Sequence, residues 1–187
     1  MLVKGVNTEQ RMRFLYVLML GFFIGIIVMN LGKEVLLQEG NILGRTELEY
    51  FKSVSLNRGN LFLYVLWGRL RQVLVLTFLA FTFFRIMALY GFVGFMGFAF
   101  GMVSSAAAIQ YGLKGTALIL AAGMPHMLLY VPVYIWLLDW CYNLNISKGE
   151  AAKNIVKYIF FILVTIIGAF LESYVNPEIL KSFLKFF

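Results

Sequence analysis

From residue 12 to residue 174 the chain is apolar almost without a break, and that run limits the available folds more than any motif does. A water-soluble domain interleaves apolar and charged residues at helical or strand periods, so that each element has a face for solvent. Here residues 14–31 and 115–138 contain no Asp, Glu, Lys or Arg. A helix crosses about 30 Å of hydrocarbon in roughly 20 residues, and both stretches are long enough. A transmembrane barrel would show ~10-residue segments of alternating polarity, a pattern this sequence lacks. With 61% hydrophobic and 13% charged residues, there is too little polar surface to enclose the rest in water. The expected fold is all-α: a polytopic transmembrane helical bundle forming a single integral membrane domain over residues 1–187, with five membrane-spanning helices, one of them kinked by proline.

The spans are expected at about residues 14–31, 72–89, 91–110, 116–140 and 154–171, with a polar extramembrane segment at 33–60. Gly21 and Gly25 give the first span a face that a second helix can approach closely. In the polar segment, Thr46 and Glu49 fit a capping box opening a short helix, with Leu48, Phe51 and Val54 on one side. Arg69 and Arg71 interrupt the next apolar stretch. Residues 61–67 are therefore expected to lie at the interface, with Tyr64 and Trp67 in an aromatic belt. The third span carries Gly94, Gly97, Gly101, Ser105 and Ala108 at steps of three or four, a groove of small residues suited to packing. Tyr111 to Gly115 reads as a tight turn, and Pro177 should prevent the fifth helix from running on unbroken.

The net charge of +7 does not point to nucleic acid. The basic residues sit at helix ends and in loops, as at Lys4, Arg11, Arg13, Lys148, Lys153 and Lys157. That placement suits contact with anionic headgroups and the setting of topology. Arg11 and Arg13 directly precede the first helix, which favours a cytoplasmic N-terminus. That run is too long for the apolar part of a signal peptide and reads as an uncleaved span. Cys141 stands alone, so neither an internal disulfide nor a cysteine metal cluster is expected.

At membrane depth the few polar groups are the candidates for function. Pro125 and Pro132 each remove a backbone donor from the fourth span, freeing the carbonyls of Ala121 and Leu128. His126 follows Pro125 near the middle of that span and requires a hydrogen-bond partner there, either tying two helices together or serving a working site. Glu172 closes the fifth span, where access to water at the interface is the plain expectation. Depth counting sets it about two turns from His126. Catalytic chemistry finds little support. Aspartyl proteolysis in a membrane needs two aspartates, and Asp139 is the single one. A zinc site needs three or four ligands. Ser104 or Ser105 with His126 as base is conceivable, but no loop suggests an oxyanion hole. Phosphate-loop and dinucleotide fingerprints are missing. A non-enzymatic protein without cofactor or metal is the expectation.

Three segments resemble the stage II sporulation protein M family of five-span bacterial membrane proteins. Tyr90-Gly91-Phe92-Val93-Gly94 is similar to its Asn-Gly-Phe-x-x-Gly opening of a span. Pro125-His126 followed by Pro132 is similar to its Pro-His-Gly-x-x-Glu-x-Pro segment. Glu172-Ser173-Tyr174-Val175-Asn176-Pro177 is similar to its closing Glu-x-Phe-x-Thr-Pro. Tyr90, Met127 and Tyr130 stand where that family has Asn, Gly and Glu. The resemblance covers the chain from Arg69 onward. It implies a non-catalytic scaffold in the bacterial cytoplasmic membrane, needed for engulfment during sporulation. Its partners would be membrane lipids and other membrane or envelope proteins, among them cell-wall hydrolases that remodel peptidoglycan at the septal or engulfing membrane. The residues themselves leave open a second reading: a small transporter or channel with a polar path around Pro125, His126 and Glu172. The glycine faces could serve packing within one chain or in an oligomer.

Overall fold

The structure, a computed structural model, describes residues 8–34, 57–124, 126–144 and 151–184. Among them there is helix and short turns, without strand. In chain order the elements are α1 (Thr8–Leu31), α2 (Arg58–Ala80), α3 (Arg85–Tyr111), α4 (Leu113–Gly123), α5 (His126–Tyr142), α6 (Ala151–Phe170), a π-helical turn (Leu171–Val175) and α7 (Asn176–Leu184). Among the described residues four helices are long and apolar enough to cross a membrane: Glu9–Leu31, Arg58–Ala80, Arg85–Tyr111 and Lys153–Ser182. The broken pair α4 and α5 makes a fifth if counted as one span. Their outward faces carry large apolar side chains, among them Phe23, Phe78 and Leu163. Apolar surface of this kind suits lipid rather than water.

Several sequence expectations shift. The second span does not occupy 72–89. Its helix is α2, and the chain turns at residues 81–84 before α3 begins at Arg85. Asn57 sets the early start: its side-chain oxygen accepts from the backbone N–H groups of Gly59 and Asn60, at 3.2 and 3.3 Å. Arg69 and Arg71 therefore lie inside the helix, not at its entry. The fourth span, expected as one helix over 116–140, is two helices that end and begin on either side of Met124 and Pro125. Pro125 itself lies outside the described residues, as does the short helix expected at Thr46. The α5 helix runs on through Pro132.

Near Pro177 the α-helix is interrupted, as expected, but the chain stays helical through the break. A single helical run extends over Lys153–Ser182. The π-helical turn is the reason. Within it the Asn176 N–H reaches back to the Leu171 carbonyl, so Pro177 enters where the ladder has already changed register and its missing donor costs little. Ser173 donates to the carbonyls of Ala169 (2.8 Å) and Phe170 (3.2 Å), holding the widened turn closed.

The chain divides into two compact units. In the first, α2, α5 and α6 pack on one another. In the second, α1 and α3 run side by side in the same direction, from Phe14 beside Tyr90 to Asn30 beside Ser105. Glycine makes that approach possible. A Cβ at Gly21 would fall on the Gly94 carbonyl oxygen, one at Gly25 on that of Phe98, one at Gly97 on that of Leu18, and one at Gly101 on that of Phe22. Four places where bare Cα–H groups meet carbonyls give the pair its spacing. Asn30 pins its end, donating to Ser105 Oγ at 3.1 Å and to the Ile26 carbonyl at 2.8 Å. The expected turn falls at Gly112, where φ is +60°.

Gly25→Val or Gly101→Val should therefore lower stability by about 3 kcal/mol, because a rigid side chain would have to displace backbone rather than a side-chain tip. Gly91→Ala meets open space and should stay within about 0.5 kcal/mol of the parent. Unfolding in detergent followed by intrinsic fluorescence measures both.

Candidate functional site

In the first unit, Arg69 lies at the midpoint of α2, eleven residues from Arg58 and eleven from Ala80. At about 1.5 Å per residue it is some 16 Å from either helix end. A guanidinium held that far inside an apolar helix requires an anion. Glu172, in the π-helical turn, supplies it. Arg69 Nη2 donates to Glu172 Oε1 at 2.7 Å and Nε to Oε2 at 3.0 Å. The pair is bidentate, the geometry that suits a planar guanidinium best. Its side chains are 26% and 18% exposed, so water screens the attraction weakly.

The α5 helix builds the wall of the site. The Arg69 guanidinium lies over the Tyr130 ring, 4.8 Å from its centroid, adding a cation–π contact to the ion pair. One turn on, the Tyr134 hydroxyl donates to Gln72 Oε1 at 2.8 Å. Both contacts follow from helical spacing: Arg69 and Gln72 share a face of α2, as Tyr130 and Tyr134 share a face of α5. Tyr130 fits because α6 has no side chain at Gly168, where a Cβ would overlap the ring. Phe170 and Tyr174 stack at 4.5 Å between centroids on the far side of the turn, with Phe62 of α2 against both.

His126 opens α5 and is buried, its ring edge-on to Tyr130 with centroids 5.7 Å apart. The hydrogen bond between helices expected of it is not formed by Nδ1, which has no partner among the described residues. The Tyr130 hydroxyl is likewise buried without a hydrogen bond of good geometry, and Glu172 and Arg69 are the charges acting on it. Glu172 thus pairs with Arg69 and not with His126, within a packed cluster that keeps it partly exposed to an open groove. An open groove of about 300 Å³ runs beside the ion pair along α2, between Tyr64 and Gln72.

Other expected positions fall elsewhere. Gly94, Gly97 and Gly101 belong to the α1–α3 contact, while Gly91 is exposed with open space around its Cα. Ser105, considered as a nucleophile, is taken up by Asn30. Pro132 is exposed on α5, and Pro177 sits in the first turn of α7. Cys141 is fully buried, with Sγ 4.0 Å from the Leu76 carbonyl. Among the described residues no three His, Cys, Asp or Glu side chains converge in a way that could hold a metal ion. Sequence reasoning missed Gln72, Tyr134 and the inward role of Arg69. The available signal was the three-residue spacing of Arg69 and Gln72 on one side of an otherwise apolar stretch.

Compared with protein-family models, with curated proteins and with solved structures, the chain matches none.

Glu172→Gln leaves the Arg69 charge uncompensated and should cost about 3 kcal/mol of unfolding free energy. Replacing both partners by Met removes two charges together and should recover most of that loss. Detergent unfolding of the two single variants and the double variant, analysed as a cycle, decides it.

Proposed function

We propose that the protein is a non-catalytic integral membrane scaffold. In this reading it lies in the bacterial cytoplasmic membrane with its N-terminus inside, and it anchors peptidoglycan-remodelling partners at a septal or engulfing membrane. The observation that carries the reading is that Arg69, Glu172, Gln72 and Tyr134, four polar groups inside the apolar helices, are spent on their neighbours in the bundle. Arg69 is bound through two nitrogens by Glu172 and capped by Tyr130, and Gln72 is held by Tyr134. Groups locked in this way stiffen a bundle and are poorly placed to shuttle protons or attack a substrate. The likeness of Glu172-Ser-Tyr-Val-Asn-Pro177 to the closing motif of the stage II sporulation protein M family supports the same reading. That segment forms the π-helical turn presenting Glu172 to Arg69.

A second reading, a small transporter or channel, draws on one specific observation. The Nδ1 of His126 is buried without a hydrogen-bond partner among the described residues, and the Tyr130 hydroxyl without one of good geometry, beside an ion pair that borders an open groove. Buried polar atoms in that state are where a permeating ion or water would be held.

Crosslinking in native membranes followed by mass spectrometry distinguishes the two. The scaffold reading expects a wall-remodelling enzyme or other envelope protein among the crosslinked species, together with altered envelope remodelling on deletion. Absence of both removes it. The transport reading expects liposome flux that falls on His126→Ala; flux that is absent or unchanged by the substitution removes that one.

A further inference from the structure

The groove beside the ion pair carries a charge that the cluster does not neutralise. Arg69 is matched by Glu172, but Arg71 also lines the groove, is exposed, and makes no hydrogen bond or ion pair among the described residues. Arg71 lies nine residues from Ala80 and thirteen from Arg58. At about 1.5 Å per residue those are roughly 14 and 20 Å, farther than one arginine side chain can reach to an interface. If α2 crosses a bilayer, a bare cation at this depth is strongly unfavourable in lipid. Moving the helix so that Arg71 reaches the headgroups does not help, because the residues left before Ala80 cover less than half the hydrocarbon thickness.

The surroundings of Arg71 have the shape of a helix-docking face. Tyr64, Trp67, Gly68 and Arg71 stand at i, i+3, i+4 and i+7 on one side of α2, and all four line the groove. Tyr64 is 78% exposed and Trp67 66%. Between them and Arg71 lies Gly68, whose Cα has open space around it. In the α1–α3 pair the corresponding space over Gly21, Gly25, Gly97 and Gly101 is filled by another helix's backbone. At Gly68 it is vacant among the described residues.

We infer that the Tyr64-Trp67-Gly68-Arg71 face of α2 binds a transmembrane helix of another protein carrying one carboxylate near its midpoint, which pairs with Arg71 while the helix backbone seats over Gly68. The charge excludes a symmetric contact between two copies of this face, which would bring Arg71 against its counterpart. The inference deepens the scaffold reading by naming the chemistry of its partner, and it rests on that reading's premise that α2 lies in a bilayer.

The test uses the full chain in phosphatidylcholine nanodiscs and a labelled single-pass Leu-rich peptide with Glu, Gln or Leu at its centre, with binding read by energy transfer to a dye on the protein. The Glu peptide should bind at least ~10-fold more tightly than the Leu peptide. Arg71→Gln should abolish that advantage, Arg71→Lys should keep part of it, and Gly68→Ile should weaken both peptides. Since Arg71 is exposed and Gly68 has open space around it, the variants should retain the parent's thermal unfolding profile. Equal binding of the Glu and Leu peptides, or an advantage that survives Arg71→Gln, overturns the inference. So does competition by added phosphatidylglycerol, which would assign the groove to a lipid headgroup, or energy transfer between copies lost on Arg71→Gln, which would assign it to self-association. No cell-wall enzyme enters this experiment, so its result is separable from failure of the proposed envelope role.

Discussion

A positive charge placed halfway along an apolar helix dominates the first unit. Arg69 cannot shed its proton, since a guanidinium stays charged under any physiological condition. The fold must bring an anion to it, and Glu172 arrives from a helix far away in the chain. Much of the local architecture follows from that requirement. The π-helical turn widens the helix at the level of Glu172 and lets Pro177 pass without ending it. Gly168 opens the room in which the Tyr130 ring slides under the guanidinium. An ion pair of this kind is weak evidence for net stability, because desolvation offsets much of the attraction. What it supplies is specificity: other registers of α2 against α6 would leave a charge stranded.

The second unit solves the same packing problem without charge. Among apolar helices in lipid the hydrophobic effect gives no preference for protein over hydrocarbon, so close contact and weak polar interactions have to hold them. Four glycines on α1 and α3 allow the backbones to meet directly. Many short Cα–H to carbonyl approaches, each weak, add up along the pair. Asn30 with Ser105 then fixes the axial position of one helix against the other. The first unit is specified by a partly buried ion pair with its polar neighbours, the second by several weak contacts.

For function, the contrast between the two arginines matters more than the presence of either. Arg69 is fully engaged by Glu172 and Tyr130, a structural arrangement that needs no ligand. Arg71, two residues on and exposed, has nothing comparable among the described residues. The same helix thus satisfies one charge internally and presents the next at its surface, which is the contrast the proposed partner helix rests on.

The helical, membrane-suited class was legible in the sequence because it depends on composition summed over long windows, and uncharged runs such as 14–31 leave few alternatives. The glycine faces of α1 and α3 were legible as well, since periodicity alone puts Gly21 with Gly25 and Gly97 with Gly101 on single sides of their helices. The start of α2 and the continuation through Pro177 were not. The first depended on a cap at Asn57, and the second on a change of hydrogen-bond register at Glu172. The site was half visible. Glu172 stands out in the sequence as an ionisable group at the end of an apolar run, but nothing in linear order pairs it with Arg69. Linear order says how far a residue lies along its own helix, and so fixed which side chains would be costly to bury. Only the packing of α2, α5 and α6 decided which of them would meet, because contacts between Arg69, Tyr130 and Glu172 join residues with no periodic relation to one another.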